Sequence, residues 1–110
     1  MDTSIDPTIT ASVERDWQLT LPKHCTESDL LSLLGAEINR LILHDFSRLL
    51  SILYRVDIPE KKLRQTLHEH RDKDAGAIIA VMILERQKEK KKLREMFKQE
   101  EGDMDTEEKW

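Results

Sequence analysis

The chain has 110 residues, of which 36% are charged and 5% aromatic, with three glycines, three prolines and one cysteine. That length suits one domain, and the scarcity of valine, threonine and tyrosine excludes a sheet protein in favour of solvated helices. A net charge of -4 gives no global attraction to nucleic acid or to an anionic membrane, and Cys25 alone cannot close an internal disulfide.

The N-terminus carries Asp2 and Asp6 where a secretory signal would be basic and then apolar. The longest apolar run, Ala77 to Leu84, is eight residues, far short of a membrane span. A cytoplasmic protein with no membrane contact is expected.

In chain order, residues 1–25 lack helical periodicity, contain Pro7 and Pro22, and place Trp17, Leu19 and Leu21 in alternation. They read as a flexible arm with Trp17 as its anchor. Thr26 then offers a side-chain cap, with Glu27 and Asp29 in the first turn of a long helix A. Leu31, Leu34, Ile38, Ile42, Phe46, Leu49, Leu53 and Val56 recur at intervals of three or four and keep one face in phase for about seven turns. Gly35 is where this helix is expected to kink, if anywhere. Asp57 before Ile58, Pro59 and Glu60 predicts a cap for a short helix B, reaching about His70 with Leu63 and Leu67 facing inward. Asp72 or Asp74 caps helix C, which carries Ile78, Ile79, Met82 and Ile83 and continues towards Gln99. Residues 101–110 form an acidic tail expected to be disordered.

The expected fold is therefore all-α: a small three-helix bundle over residues 26–100, with long helix A, short helix B and long helix C. Its core should unite Ile42, Phe46, Leu49, Leu53, Leu63, Leu67, Ile79, Met82 and Ile83.

The runs Ile38-Asn39-Arg40-Leu41-Ile42, Asp45-Phe46, Ile52-Leu53-Tyr54-Arg55-Val56-Asp57, Glu60-Lys61-Lys62-Leu63, Asp74-Ala75-Gly76 and Glu85-Arg86-Gln87, with the terminal Glu108-Lys109-Trp110, carry a likeness. On these residues, about half the chain resembles a group of short uncharacterised bacterial helical proteins with no assigned activity. The resemblance implies the helix phasing and transfers no functional residue.

Chemistry is sparse. His68 and His70 flank Glu69, but residues two apart on a helix point about 200° apart and cannot share an ion. His24, Cys25 and His44 lack paired-ligand spacing. No glycine-rich phosphate loop or nucleophile–base pattern occurs, so no catalytic, cofactor-binding or metal-ligating residue is expected, and no small-molecule substrate.

The stretch Glu85 to Lys98 holds seven basic and three acidic residues. Lys88, Lys91, Lys92 and Arg94 are the candidates for contacting nucleic acid, though the interleaved acids and the lack of stacking aromatics other than Phe97 weigh against it. On a helical wheel Asp45 and Arg86 fall inside apolar sectors and should be partly buried, and short connections set Arg86 level with Tyr54 to Asp57. The same register sets the start of helix C beside Asp45 and leaves the leucine-rich first half of helix A uncovered. The arm through Trp17, a fold-back at Gly35 or a second copy must then cover it. It also leaves residues 88–99 projecting, with Leu93, Met96 and Phe97 as anchors for a partner. The functional expectation is a non-enzymatic helical module that binds a protein partner or a second copy of itself, with nucleic-acid association as the alternative.

Overall fold

A computed structural model describes residues 5–108, with side chains for residues 5–98. Among the described residues the chain is all-helical: α1 (Pro7–Trp17), α2 (Glu27–His44), α3 (Phe46–Arg55), α4 (Glu60–Glu69) and α5 (Ala75–Glu108). No strand is present among them.

The N-terminal segment is a packed helix instead of a flexible arm. Asp6 accepts a hydrogen bond from the Thr8 backbone N–H at 2.8 Å, and Pro7 occupies the first turn, where a missing N–H costs nothing. Ile9, Val13 and Trp17 then recur every four residues and are all buried. Beyond Trp17 the chain reverses through a left-handed Gln18. The Glu14 carboxylate accepts from the Leu21 backbone N–H at 2.8 Å and holds the loop down.

Thr26 caps α2 as its sequence implies. Its hydroxyl accepts from the Asp29 N–H at 3.1 Å while the Asp29 carboxylate accepts from the Thr26 N–H at 3.2 Å, a reciprocal capping box. The helix passes through Gly35 unbroken and ends at Asp45, so the long helix A is two helices. Asp45 leaves helical geometry (φ -157°, ψ 69°), and its carboxylate accepts from the Arg48 N–H at 3.2 Å to start α3. Periodicity across this corner had implied burial of Asp45 and Phe46. Both are exposed, because α3 turns to present Leu49, Ile52 and Leu53 to the core.

The same turn corrects the register. Asn39 accepts from the Gly76 N–H at 3.0 Å, and twelve residues further along α5 Lys88 pairs with Glu27, twelve residues back along α2. The two helices therefore run antiparallel, with α5 starting beside Gly35 and Asn39 instead of Asp45. On a straight continuation of α2, Asp57 would lie roughly 40 Å from Arg86. Instead the two meet at 2.9 Å, so α3 folds back along the bundle. Leu30, Leu34, Ile38 and Leu41, which the expected register left without helix C beside them, are fully buried with α5 packed along α2.

Asp57 does not cap α4. It lies at φ 66° just past α3, where its N–H donates to the Tyr54 carbonyl at 3.1 Å and the Ile58 N–H donates to the Leu53 carbonyl at 3.1 Å. Those two bonds define a Schellman ending, in which Asp stands where glycine is usual. The core otherwise follows expectation: Leu49, Leu53, Leu63, Ile79 and Ile83 are buried, and Ile42, Leu67 and Met82 pack partly buried against them. The bundle is thus five-helical where three helices were expected, and the backbone of α5 continues as helix to Glu108 where a disordered tail was expected.

The closest approach is between α2 and α5. A Cβ added to Gly76 would lie 2.4 Å from the Gly35 carbonyl oxygen and 2.6 Å from the Asn39 side chain, whereas one added to Gly35 meets nothing nearer than 3.6 Å. Gly35→Ala should therefore melt at the same temperature or higher, gaining up to about 1 kcal/mol of helix propensity. Gly76→Ala should lose about 3 kcal/mol because backbone must move. Thermal melts followed by circular dichroism separate these outcomes, and equal losses from both would mean the crossing is not as close as described.

Candidate interaction surface

Helix α5 changes character along its length. Its first three turns bury Ile79, Ala80, Ile83 and Leu84 in the core, and Gln87 is the last buried residue among those whose side chains are described. Contacts from other helices continue a little further than expected. Lys88 pairs with Glu27, and Lys91 reaches Asp6 at 3.1 Å and Glu95 at 2.6 Å. One face of α5 thus keeps to the bundle as far as Arg94, and the projecting part begins in the turn of Lys92 to Arg94, not at residue 88.

Past that point the apolar row stands about half open or more among the described residues. Leu93, Met96 and Phe97 are 49%, 51% and 64% exposed, and all three lie on one stripe of a continuous helix. The structure brings the three expected anchors together on an open face.

The four nucleic-acid candidates do not form one patch. Lys88 and Lys91 are held by carboxylates on α2, α5 and just before α1. Lys92 is exposed, and Arg94 lines a cleft with Lys90, together with Arg15 of α1 and Arg55 of α3. That grouping was not visible in the sequence, where the residues of α1 read as an arm.

A second apolar surface was missed. Phe46, Leu50 and Tyr54, spaced by four residues along α3, are exposed beside Leu43. Leu50 and Tyr54 border a groove of about 260 Å³ completed by Ile58, Pro59 and Leu63. The signal lay in Asp45: a capping residue inside an unbroken apolar rhythm announces a second helix in a new direction.

Arg86 occupies the seam between α4 and α5 as its wheel position implies, donating to Asp57 at 2.9 Å and Glu89 at 2.5 Å. These hydrogen bonds, Glu89 first, raise its pKa above the ordinary value. Its Nε is buried without a partner among the described residues, as is the Trp17 indole N–H. The four histidines are exposed, and no cluster of three metal-ligating side chains occurs among the described residues. A comparison with protein-family models, curated proteins and solved structures returns no match.

The link between the N-terminal end of α1 and α5 has a defined pH range. Hydrogen bonds from the Thr8 side chain and backbone, with Lys91 adding to them, lower the Asp6 carboxyl to about 2. The fold thus favours its ionised form. The Asp6 contribution is complete above an unfolded carboxyl pKa of about 4 and lost as pH falls towards 2. The difference in melting temperature between the native chain and Asp6→Asn should be constant from pH 7 to about 4 and close up below that. A difference that persists undiminished at pH 2 would disprove the assignment.

Proposed function

We propose that this chain is a helical interaction module that associates with a second copy of itself through the projecting part of α5. The observation that carries the reading is the exposed stripe of Leu93, Met96 and Phe97 on a helix that outruns its own bundle. An apolar stripe held in water by an ordered helix is what helix–helix docking uses.

The charge pattern favours one orientation. Residues 85–98 carry seven basic and three acidic side chains, whereas residues 100–108 carry six acidic and no basic ones. Parallel pairing of two such helices would set like charges together. Antiparallel pairing about a two-fold axis sets the basic stretch of one helix beside the acidic stretch of the other. A self-complementary, closed interface of this kind suits a two-fold dimer.

The replacement of Leu93, Met96 and Phe97 together by alanine should monomerise the chain while its melting temperature at dilution stays within a few degrees. Each truncation forfeits roughly 1–2 kcal/mol of apolar burial, so dissociation should strengthen by about a thousandfold or more. Light scattering across a concentration series measures this. A native chain that stays monomeric at 100-fold concentration, or a triple variant that dimerises as before, refutes self-association through this stripe.

A further inference from the structure

We propose that the cleft between α1, α3 and α5 is a binding site for a phosphate-class anion. The cleft is open on one side and has a volume of about 460 Å³. Three helices supply its cations: Arg15 from α1, Arg55 from the last turn of α3, and Lys90 and Arg94 one turn apart on α5. Asp16 is the one carboxylate that lines it.

Unpaired cations are common along this chain, and what distinguishes these four is that three helices bring them into one cleft. Arg40 is paired with Glu37, Arg64 with Glu60, Arg86 with Asp57 and Glu89, Lys88 with Glu27, and Lys91 with Asp6 and Glu95. Among the described residues Arg55, Lys90 and Arg94 take part in no ion pair, and Arg15 reaches Asp16 only at 3.5 Å. Four cations facing one carboxylate across an open cleft give it a local excess of positive charge, which an anion neutralises.

The floor of the cleft is built for polar contact. Gln87 is 6% exposed and lines the cleft, where its amide can add a donor. Ser12 adds a hydroxyl at the rim. Asp16, itself 8% exposed and 3.5 Å from Arg15, repels an anion, so the ligand sits away from it, towards Arg55, Lys90 and Arg94.

Phosphate fits this donor set better than a carboxylate. Guanidinium groups present paired N–H bonds that match two oxygens each, and three arginines with a lysine, an amide and a hydroxyl offer more donors than two carboxylate oxygens can accept. The lining side chains, four positive and one negative, carry a net charge of +3, which favours a phosphate of about -2 over a singly charged carboxylate. The same chemistry is offered by inorganic phosphate and by the phosphoryl group of a small phosphomonoester. The cleft lining contains no aromatic side chain to stack on a base.

The test is calorimetric titration of the full chain with inorganic phosphate, and separately with glycerol phosphate, at ionic strength fixed with sodium chloride. Saturable binding is expected, weakened at least tenfold in Arg55→Gln, in Arg94→Gln and in Gln87→Leu. Tighter binding of the ester than of phosphate identifies a metabolite as the source, and the reverse identifies free phosphate. Without anion, Arg55→Gln and Arg94→Gln should melt no lower than the native chain, since each relieves repulsion, and with phosphate they should lose the rise in melting temperature that the native chain shows. The variant with Leu93, Met96 and Phe97 replaced by alanine should bind phosphate normally, which keeps this result separate from self-association. Heats no larger than those of a chloride control overturn the proposal. It is equally overturned if the arginine variants weaken the dimer while leaving phosphate affinity intact, since the cleft then serves the acidic segment of a second copy.

Discussion

The molecule depends on how closely the first turn of α5 approaches α2. At Gly76 the approach leaves no room for a side chain, so the axial position of α5 along α2 is fixed by contact between backbones. Asn39 completes the junction from the α2 side: its Oδ1 accepts from Gly76 and its Nδ2 donates to the Asp74 carboxylate at 2.7 Å. Asp74 in turn accepts from the Ala77 N–H at 3.3 Å, so the start of α5 is capped partly by another helix. From that one position the remaining pairs follow, with Arg86 at Asp57, Lys88 at Glu27 and Lys91 at Asp6. A slip of one turn, about 5.4 Å, would separate all three. Exposed ion pairs are individually weak, so they report this register and do not set it.

What was legible in the sequence is what depends on neighbours close along the chain. The Thr26 cap, the helical phase of α2 and of α5, and the placing of Leu93, Met96 and Phe97 on one stripe need only local spacing. The meeting of Arg86 with Asp57 was also foreseen, although the register behind that expectation was wrong at its other end. The corner at Asp45 was hidden because Ile42, Phe46 and Leu49 keep their interval of three or four straight through it, and periodicity contains no information about direction. Helix α1 was hidden differently. Asp6, Pro7 and the spacing of Ile9, Val13 and Trp17 form a complete start and face, but the alternation of Trp17, Leu19 and Leu21 draws the eye to an extended strand. Those last three residues in fact straddle a helix end and a turn. Everything assembled by α1, including the cleft at Arg55 and Arg94, was illegible for that reason.

Helix α5 serves the chain twice. Its first half completes a core that α2 alone could not close, and its second half presents polar and apolar faces to whatever lies outside. The lysines divide along the same line. Lys88 and Lys91 tie the bundle together through carboxylates on other elements, while Lys90 and Arg94, on the adjacent face of the same turns, leave their charge available. A positive run that looks uniform in one dimension is thus sorted by the 3.6-residue period into structural and unclaimed charge.

Cys25 lies where the loop after α1 meets the start of α2. Its backbone carbonyl accepts from the Ile5 N–H at 2.8 Å, its thiol is oriented towards the Thr26 carbonyl, and its side chain is buried. Burial, with Asp29 and Glu14 nearby, pushes the thiol pKa up, so the reactive thiolate is scarce at neutral pH as well as shielded. A reagent in solution meets this sulfur only when the N-terminal segment lifts away. The rate at which the single thiol is consumed is therefore a stopwatch for that opening, timing the breathing of one end of the molecule while the rest stays folded.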